Sequence, residues 1–130
     1  MTTRIHYQSI LSAVEAFVKQ ALKIQVLNPS YRDYGGFRCP ELWVCEPIAA
    51  ANVFDSLVVL YFTSDSRYHD SPELLEKIHL ALQFLLRCQH EDGTIDGYLS
   101  GHIRAASNAA FACYPLFRAH RWLSRKQEAH

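Results

Sequence analysis

The sequence predicts an all-α chain made of two antiparallel helical hairpins. Four segments of helical length carry apolar residues at intervals of three and four positions, which is the spacing of one helix face. One long glycine-containing loop separates the two helices of each half, so the two halves have the same order of elements. Because 130 residues suffice for one modest core, we expect a single helical domain over residues 1–130, with hairpins at about 3–63 and 72–124.

The first hairpin is predicted to join a helix with one wet side to a helix that is buried on several sides. Residues 3–27 place apolar side chains on one face and charged side chains on the other. Pro29 ends this helix, because the residue before a proline avoids the helical region. A long loop over residues 28–46 follows. The second helix begins at Pro47, continues to about Thr63 and is apolar nearly all round.

The second hairpin is predicted to repeat that pairing. Ser71 is a favourable N-cap, Pro72 suits the first helical position and Glu73 the first turn, so the third helix starts here with a single apolar stripe. An acidic, glycine-containing loop over residues 89–101 comes next. The fourth helix is predicted over about 103–124, and its first half consists of small, nearly uncharged residues.

Corresponding residues in the two halves indicate an internal repeat. The first amphipathic helix ends near Gln25 and the third near Gln89, and a glycine-containing loop follows each of them. The string AAAN then ends at Asn52, and AASN ends at Asn108. Wet-sided helices suit the outside of such an array and apolar helices the inside. This is the logic of an α/α toroid, whose inner helices line a cavity and whose loops form its mouth.

The segment from Phe84 to Ile95, FLLRCQHEDGTI, resembles the repeat of α/α-toroid proteins. The longer string QHEDGTIDGYLSGHIRAASNAAF is similar to the N-terminal toroid of heparinase II/III-like and alginate-lyase-like proteins, and the resemblance covers about residues 72–123. Such toroids contain more hairpins than the two predicted here. The chain is therefore expected to be a piece of an incomplete ring, and a compact four-helix bundle is the alternative.

The resemblance implies a segment of a polysaccharide-lyase-like protein that binds acidic glycans in a cleft. A lyase neutralises a uronate carboxylate, removes the neighbouring proton with a base and protonates the leaving oxygen with an acid. In this reading, the catalytic candidates are His102, Arg104, Asn108 and Tyr34. The substrate-binding candidates are Asn52, Glu46, Trp43, Asp96 and Tyr98. Whether the isolated chain is an enzyme is left open.

Structural roles for several of these residues are equally open from the sequence. Asn108 is expected either to face the cleft or to pack between helices through hydrogen bonds. Asp92 with Gly93 is typical of a turn, and Asp96 is suited to binding backbone donors. Glu46 either caps the second helix or points into the cleft.

Composition and charge argue against nucleic-acid binding, metal or cofactor binding and membrane insertion. Lys and Arg together number 13, as do Asp and Glu, so the net charge is zero and a nucleic-acid partner is not expected. The spacing of the histidines and cysteines predicts no metal site, and no cofactor is expected. No apolar run is long enough to cross a membrane, and four cysteines without paired spacing favour free thiols and a cytoplasmic setting.

A second function of a different class follows from the uncovered inner helices. Large apolar surfaces mark interaction sites. The alternative is therefore a non-catalytic helical module that self-associates or completes the core of a partner. On either reading we expect a homo-oligomer, or else the missing toroid segments, to cover these helices.

Overall fold

The computed structural model describes residues 2–98 and 101–128 of the chain. Within these residues the elements are α1 (Thr2–Lys23), α2 (Pro47–Phe62), α3 (Pro72–Cys88), β1 (Ile95–Gly97), β2 (His102–Ala105) and α4 (Ala106–Glu128). The two strands form a small antiparallel sheet in which Ile95 pairs with Ala105 and Gly97 with His102.

The sheet corrects the predicted fold class. An all-α chain, whether as two toroid hairpins or as a four-helix bundle, is wrong, because β1 and β2 pair between α3 and α4. Residues 103–105 were predicted to open the fourth helix but belong to β2, so α4 begins at Ala106. Asp96 lies in β1 and Arg104 in β2. The Asp96 carboxylate accepts the Arg104 backbone N–H at 2.7 Å, and this bond holds β2 beside β1.

The predicted start of α3 is confirmed in detail. Ser71 is the N-cap, and its Oγ accepts the backbone N–H of Leu74 at 3.2 Å. This hydrogen bond satisfies one of the amide donors that the first helical turn leaves without partners. By contrast, α1 stops at Lys23, four residues before the predicted end, because the Val26 N–H donates to Gly36 O at 2.8 Å instead of continuing the helix.

Helix α2 forms the centre of the core. It packs against α1, α3 and α4, and its side chains Phe54, Leu57 and Leu60 are at most 1% exposed. Burial of apolar surface on several sides is what its nearly continuous apolar sequence requires. An ion pair between Asp55 of α2 and Arg118 of α4, partly buried, fastens these two helices side by side.

The first long loop is docked on α3. Gly35 has φ +90, and a Cβ atom there would collide with the backbone oxygen of Leu80 in α3. The Arg87 guanidinium donates to the Tyr34 carbonyl. Gln25 Nε2 donates to the Lys77 carbonyl at 3.1 Å. These contacts hold the loop of the first half against the amphipathic helix of the second.

No helix within residues 2–98 and 101–128 combines the length and the apolar character needed to cross a membrane.

Candidate functional site

The two glycine-containing loops leave their helices in the same way. Gln25 Nε2 donates to Gly35 O at 3.0 Å, and Gln89 Nε2 donates to Gly93 O at 3.1 Å. Both glycines have positive φ, +90 and +86, which L side chains rarely adopt. Each glutamine backbone also pairs with the returning segment. The shared hydrogen bonds place the two loops at the same end of their respective helices.

A cavity of about 410 Å³ lies between these loops and the end of α3, and we call it the inter-loop pocket. Its lining mixes cations, carboxylates, a histidine, a thiol and two aromatic rings, and the residues are Arg32, Asp33, Phe84, Arg87, Cys88, His90, Asp96 and Tyr98. A concave site with convergent ionisable groups is a natural candidate for ligand binding.

Asp96 is the best connected ionisable group of this pocket. Its Oδ1 lies 2.9 Å from His90 Nε2 and accepts the Arg104 N–H at 2.7 Å. The Arg104 N–H and then His90 lower the pKa of Asp96. Asp96 is therefore a carboxylate at neutral pH, and the proton shared with His90 lies on Nε2. In the neutral imidazole that donates from Nε2, Nδ1 is the ring nitrogen with the free lone pair.

The neighbouring Asp92 has a turn role. Its Oδ1 accepts the Thr94 N–H at 3.0 Å and the Thr94 hydroxyl at 2.6 Å, and these bonds are the largest cause of its lowered pKa. Arg104, which is exposed and has φ +50, approaches Asp92 at 3.7 Å. Such exposed pairs contribute little free energy. Asp92 therefore shapes the loop, as the turn interpretation predicts.

Burial keeps the thiols and the phenol of this region protonated. It raises the pKa of Cys88 to about 12 and that of Cys45 to about 11, so neither supplies a thiolate nucleophile at neutral pH. Desolvation also raises the pKa of Tyr98. Tyr98 therefore carries its phenolic proton at neutral pH.

The predicted catalytic residues occupy different kinds of position. Asn108 is buried, and its Nδ2 donates to Ile95 O at 3.0 Å, which is the packing role left open from the sequence. Tyr34 is half-buried. His102 pairs through its backbone with Gly97, and its side chain lies outside the described residues. Two residues of this set contact the inter-loop pocket through their backbones: the Arg104 N–H donates to Asp96, and the Tyr34 carbonyl accepts from Arg87.

The predicted substrate-binding residues divide between several places. Asp96 and Tyr98 line the inter-loop pocket together. Glu46 occupies the N-cap position of α2, where it is buried and makes no side-chain cap hydrogen bond. Asn52 is exposed on α2. Trp43 lies in a second pocket, so the nine predicted residues do not form one site.

That second pocket, of about 340 Å³, lies between the end of α1 and the first loop, and we call it the aromatic pocket. The Arg38 guanidinium carbon lies 5.5 Å from the ring centroids of both Tyr31 and Trp43. Trp43 is 71% exposed and has φ +53. A cation over two aromatic faces is a stabilising arrangement.

Sequence reasoning missed most of the inter-loop pocket. Nothing in the sequence indicates that Arg32, Asp33, Arg87 and His90 share one pocket, in which the His90 side chain is 29% accessible. The available signal was the pairing of the two glutamine loops, which places residues after Gln89 beside residues of the first loop.

In the part of the chain that the structure describes, no group of three or more His, Cys, Asp or Glu residues is arranged to hold a metal ion. Comparison with protein-family models, with curated proteins and with solved structures gives no match to this chain. The resemblance to heparinase-like and alginate-lyase-like proteins therefore stays a prediction.

Proposed function

We propose that this chain is a helical interaction module that associates with a second copy of itself through one face of α4. The proposal is supported mainly by a row of solvent-exposed aromatic side chains. Phe111, Tyr114 and Phe117 are 68%, 65% and 60% exposed. Their spacing of three residues places them along one side of the helix.

The surroundings of this row extend the apolar surface. Leu86 of α3 is 58% exposed, and an apolar groove of about 520 Å³ runs between α3 and α4 beside Phe117. Isolated exposed apolar residues are ordinary, but a contiguous patch is typical of a surface that another protein covers. Aromatic residues are also enriched at the centres of such interfaces.

Two observations favour a second copy as the partner. The exposed aromatic row lies along one helix, so two copies can place the same patch against each other across a two-fold axis. The net charge is zero, with 13 cationic and 13 acidic residues, so two copies approach each other without long-range repulsion.

The test is the solution mass of the chain measured by light scattering over a range of concentrations. We expect a dimer or a larger closed assembly. In the double variant Phe111→Glu/Phe117→Glu, two charges replace apolar groups in the interface, and we expect dissociation at least about tenfold easier. Ile10→Glu is the matched control, because Ile10 is 63% exposed on α1 and lies outside the proposed face. A wild-type monomer at every concentration would contradict the proposal.

A second candidate function is a lyase-like reaction on uronate-containing glycans in the inter-loop pocket. It is favoured by the contact between His90 Nε2 and Asp96 Oδ1 at 2.9 Å, in a pocket that also holds Arg32 and Tyr98. Those groups match the requirements for a base, an acid and a cation that binds the carboxylate.

The proposed step is a β-elimination. Nδ1 of His90 removes the proton on the carbon beside the carboxylate, and the electron pair of that C–H bond forms a carbon–carbon double bond. The bond from the next carbon to the glycosidic oxygen breaks, and the Tyr98 hydroxyl gives its proton to that oxygen. Arg32 binds the carboxylate, whose negative charge increases in the transition state.

The expected result with polyuronate substrates is a rise in ultraviolet absorbance from the unsaturated product. His90→Gln and Tyr98→Phe should each lower kcat by about 100-fold or more, because each removes one proton-transfer group. His79→Gln makes the same change at an exposed histidine of α3 outside the pocket, and its rate should equal that of the wild type. Absence of unsaturated product, or equal losses in all three variants, would rule this candidate out.

A further inference from the structure

We propose that the aromatic pocket binds a small organic anion in which one carboxylate is joined to an apolar body, as in an alkyl carboxylate. This site is separate from the face of α4 and from the inter-loop pocket. It is formed by the end of α1 and the first loop. It combines two cationic side chains, a buried donor without a partner and an apolar wall.

The charged groups of this pocket are all cations. Among the described residues that line it, only Lys23 and Arg38 carry charge. None of the ion pairs formed within residues 2–98 and 101–128 involves either of them. A carboxylate entering the pocket would therefore meet two cations that form no ion pair among the described residues.

Arg38 has hydrogen-bonding capacity to spare. Its Nε is buried and has no hydrogen-bond partner, and a buried donor without a partner carries a free-energy cost. The carboxylate of a ligand supplies the missing acceptor. The Trp43 ring, whose centroid lies 5.5 Å from the guanidinium carbon, is 71% exposed and is therefore not held by the core.

The wall of the pocket favours an apolar body over a sugar. It is formed largely by Ile24, Val26, Leu27 and Pro40. Of the lining amides, Asn28 Oδ1 already accepts the Ser30 N–H and Gln25 Nε2 already donates to two carbonyls, which leaves the buried acceptor Gln25 Oε1 without a partner. A ligand with many hydroxyl groups would find few partners here, whereas an alkyl chain gains from burial.

The backbone of Trp43 is consistent with a ligand-binding role. Its φ of +53 lies in the left-handed region, which is unfavourable for a bulky residue. Strained positions of this kind cluster at binding sites, because they hold a side chain where the relaxed backbone would not place it. Here the strained residue carries the exposed indole that lies beside the Arg38 guanidinium.

The test uses octanoate as the anion and octanamide as a neutral compound of the same size. In a Trp122→Phe variant, Trp43 is the only tryptophan, so its fluorescence reports on the pocket. We expect a saturable change in Trp43 emission with octanoate and an affinity for octanamide that is at least about tenfold weaker, because charge-assisted hydrogen bonds are the strong ones.

Substitutions in the same background identify the cations involved. Arg38→Gln should weaken octanoate binding about tenfold and Lys23→Gln about threefold, with octanamide unaffected. Arg121→Gln removes an exposed cation outside the pocket and should change nothing. Equal affinity for the two compounds, or an unchanged octanoate midpoint in a folded Arg38→Gln chain, would overturn the proposal. If circular dichroism shows that Arg38→Gln is unfolded, the exposed Lys23→Gln variant decides, and an unchanged midpoint there overturns it.

Discussion

Gly35→Ala should lower the free energy of unfolding by about 2–5 kcal/mol, as the sum of an unfavourable backbone conformation and a steric collision. Gly35 has φ +90, and the added methyl group would meet the Leu80 carbonyl, which is backbone in the middle of α3. A flexible side chain could move away from the methyl group, but a helix carbonyl cannot do so without loss of its own hydrogen bond. The loop and α3 must therefore separate.

Gly93→Ala is the matched control for that variant. Its φ of +86 is nearly the same, but the nearest atom to an added methyl group is Gln89 Nε2 at 3.8 Å, an ordinary contact distance. Only the backbone term remains, about 1–2 kcal/mol. Urea denaturation followed by circular dichroism measures both variants, and equal losses would show that the contact between Gly35 and α3 is absent in solution.

Gln25→Ala should cost about 2–4 kcal/mol, because it removes two buried hydrogen bonds and leaves a cavity. Gln25 is 7% exposed, and its Nε2 donates to Gly35 O at 3.0 Å and to Lys77 O at 3.1 Å. Truncation leaves both carbonyls without this donor at the junction of α1, the first loop and α3.

Gln89→Ala tests whether burial of the glutamine, rather than its hydrogen bond to the loop glycine, determines the loss of unfolding free energy. Gln89 makes the corresponding bond to Gly93 O at 3.1 Å, but it is exposed, and its side-chain amide makes no second bond among residues 2–98 and 101–128. Water replaces the lost donor there, so the expected cost is about 0.5–1.5 kcal/mol. The same thermal or urea measurement compares the two variants, and a larger loss for Gln89→Ala would show that Gln25 is not the central residue of the junction.

The helices were predictable because each carries a long periodic signal. Residues 72–88 combine an N-cap serine, a proline and an apolar stripe, and α3 occupies Pro72–Cys88. The strands were not predictable by the same means. β1 and β2 are three and four residues long, too short for an alternating pattern to be distinguished from a glycine-containing loop. Their pairing depends on contacts such as that between Asp96 and the Arg104 N–H.

The site was less predictable than the helices, because side chains distant in sequence build it. Asp96 and Tyr98 were identified within one loop, but Arg32 and Asp33 join them only because the first loop lies on α3. Asn108 is a catalytic candidate only through the resemblance, with a packing role as the alternative, and in the structure it is buried and donates to Ile95 O. Residue type and spacing do not reveal how the first loop packs on α3, and this packing decides which residues line the pocket and which are buried.

The docking of the first loop on α3 also affects the order in which the chain folds during synthesis. The contacts with Lys77, Leu80 and Arg87 lie more than 40 residues beyond the loop residues that they hold. A nascent chain that carries only α1, this loop and α2 has not yet made the helix that covers its apolar centre. Such a chain exposes the surface of α2 until α3 emerges from the ribosome, and exposed apolar surface of this kind promotes aggregation. The two halves resemble each other in sequence, but the first depends on the second for the helices that cover α2 and hold its loop.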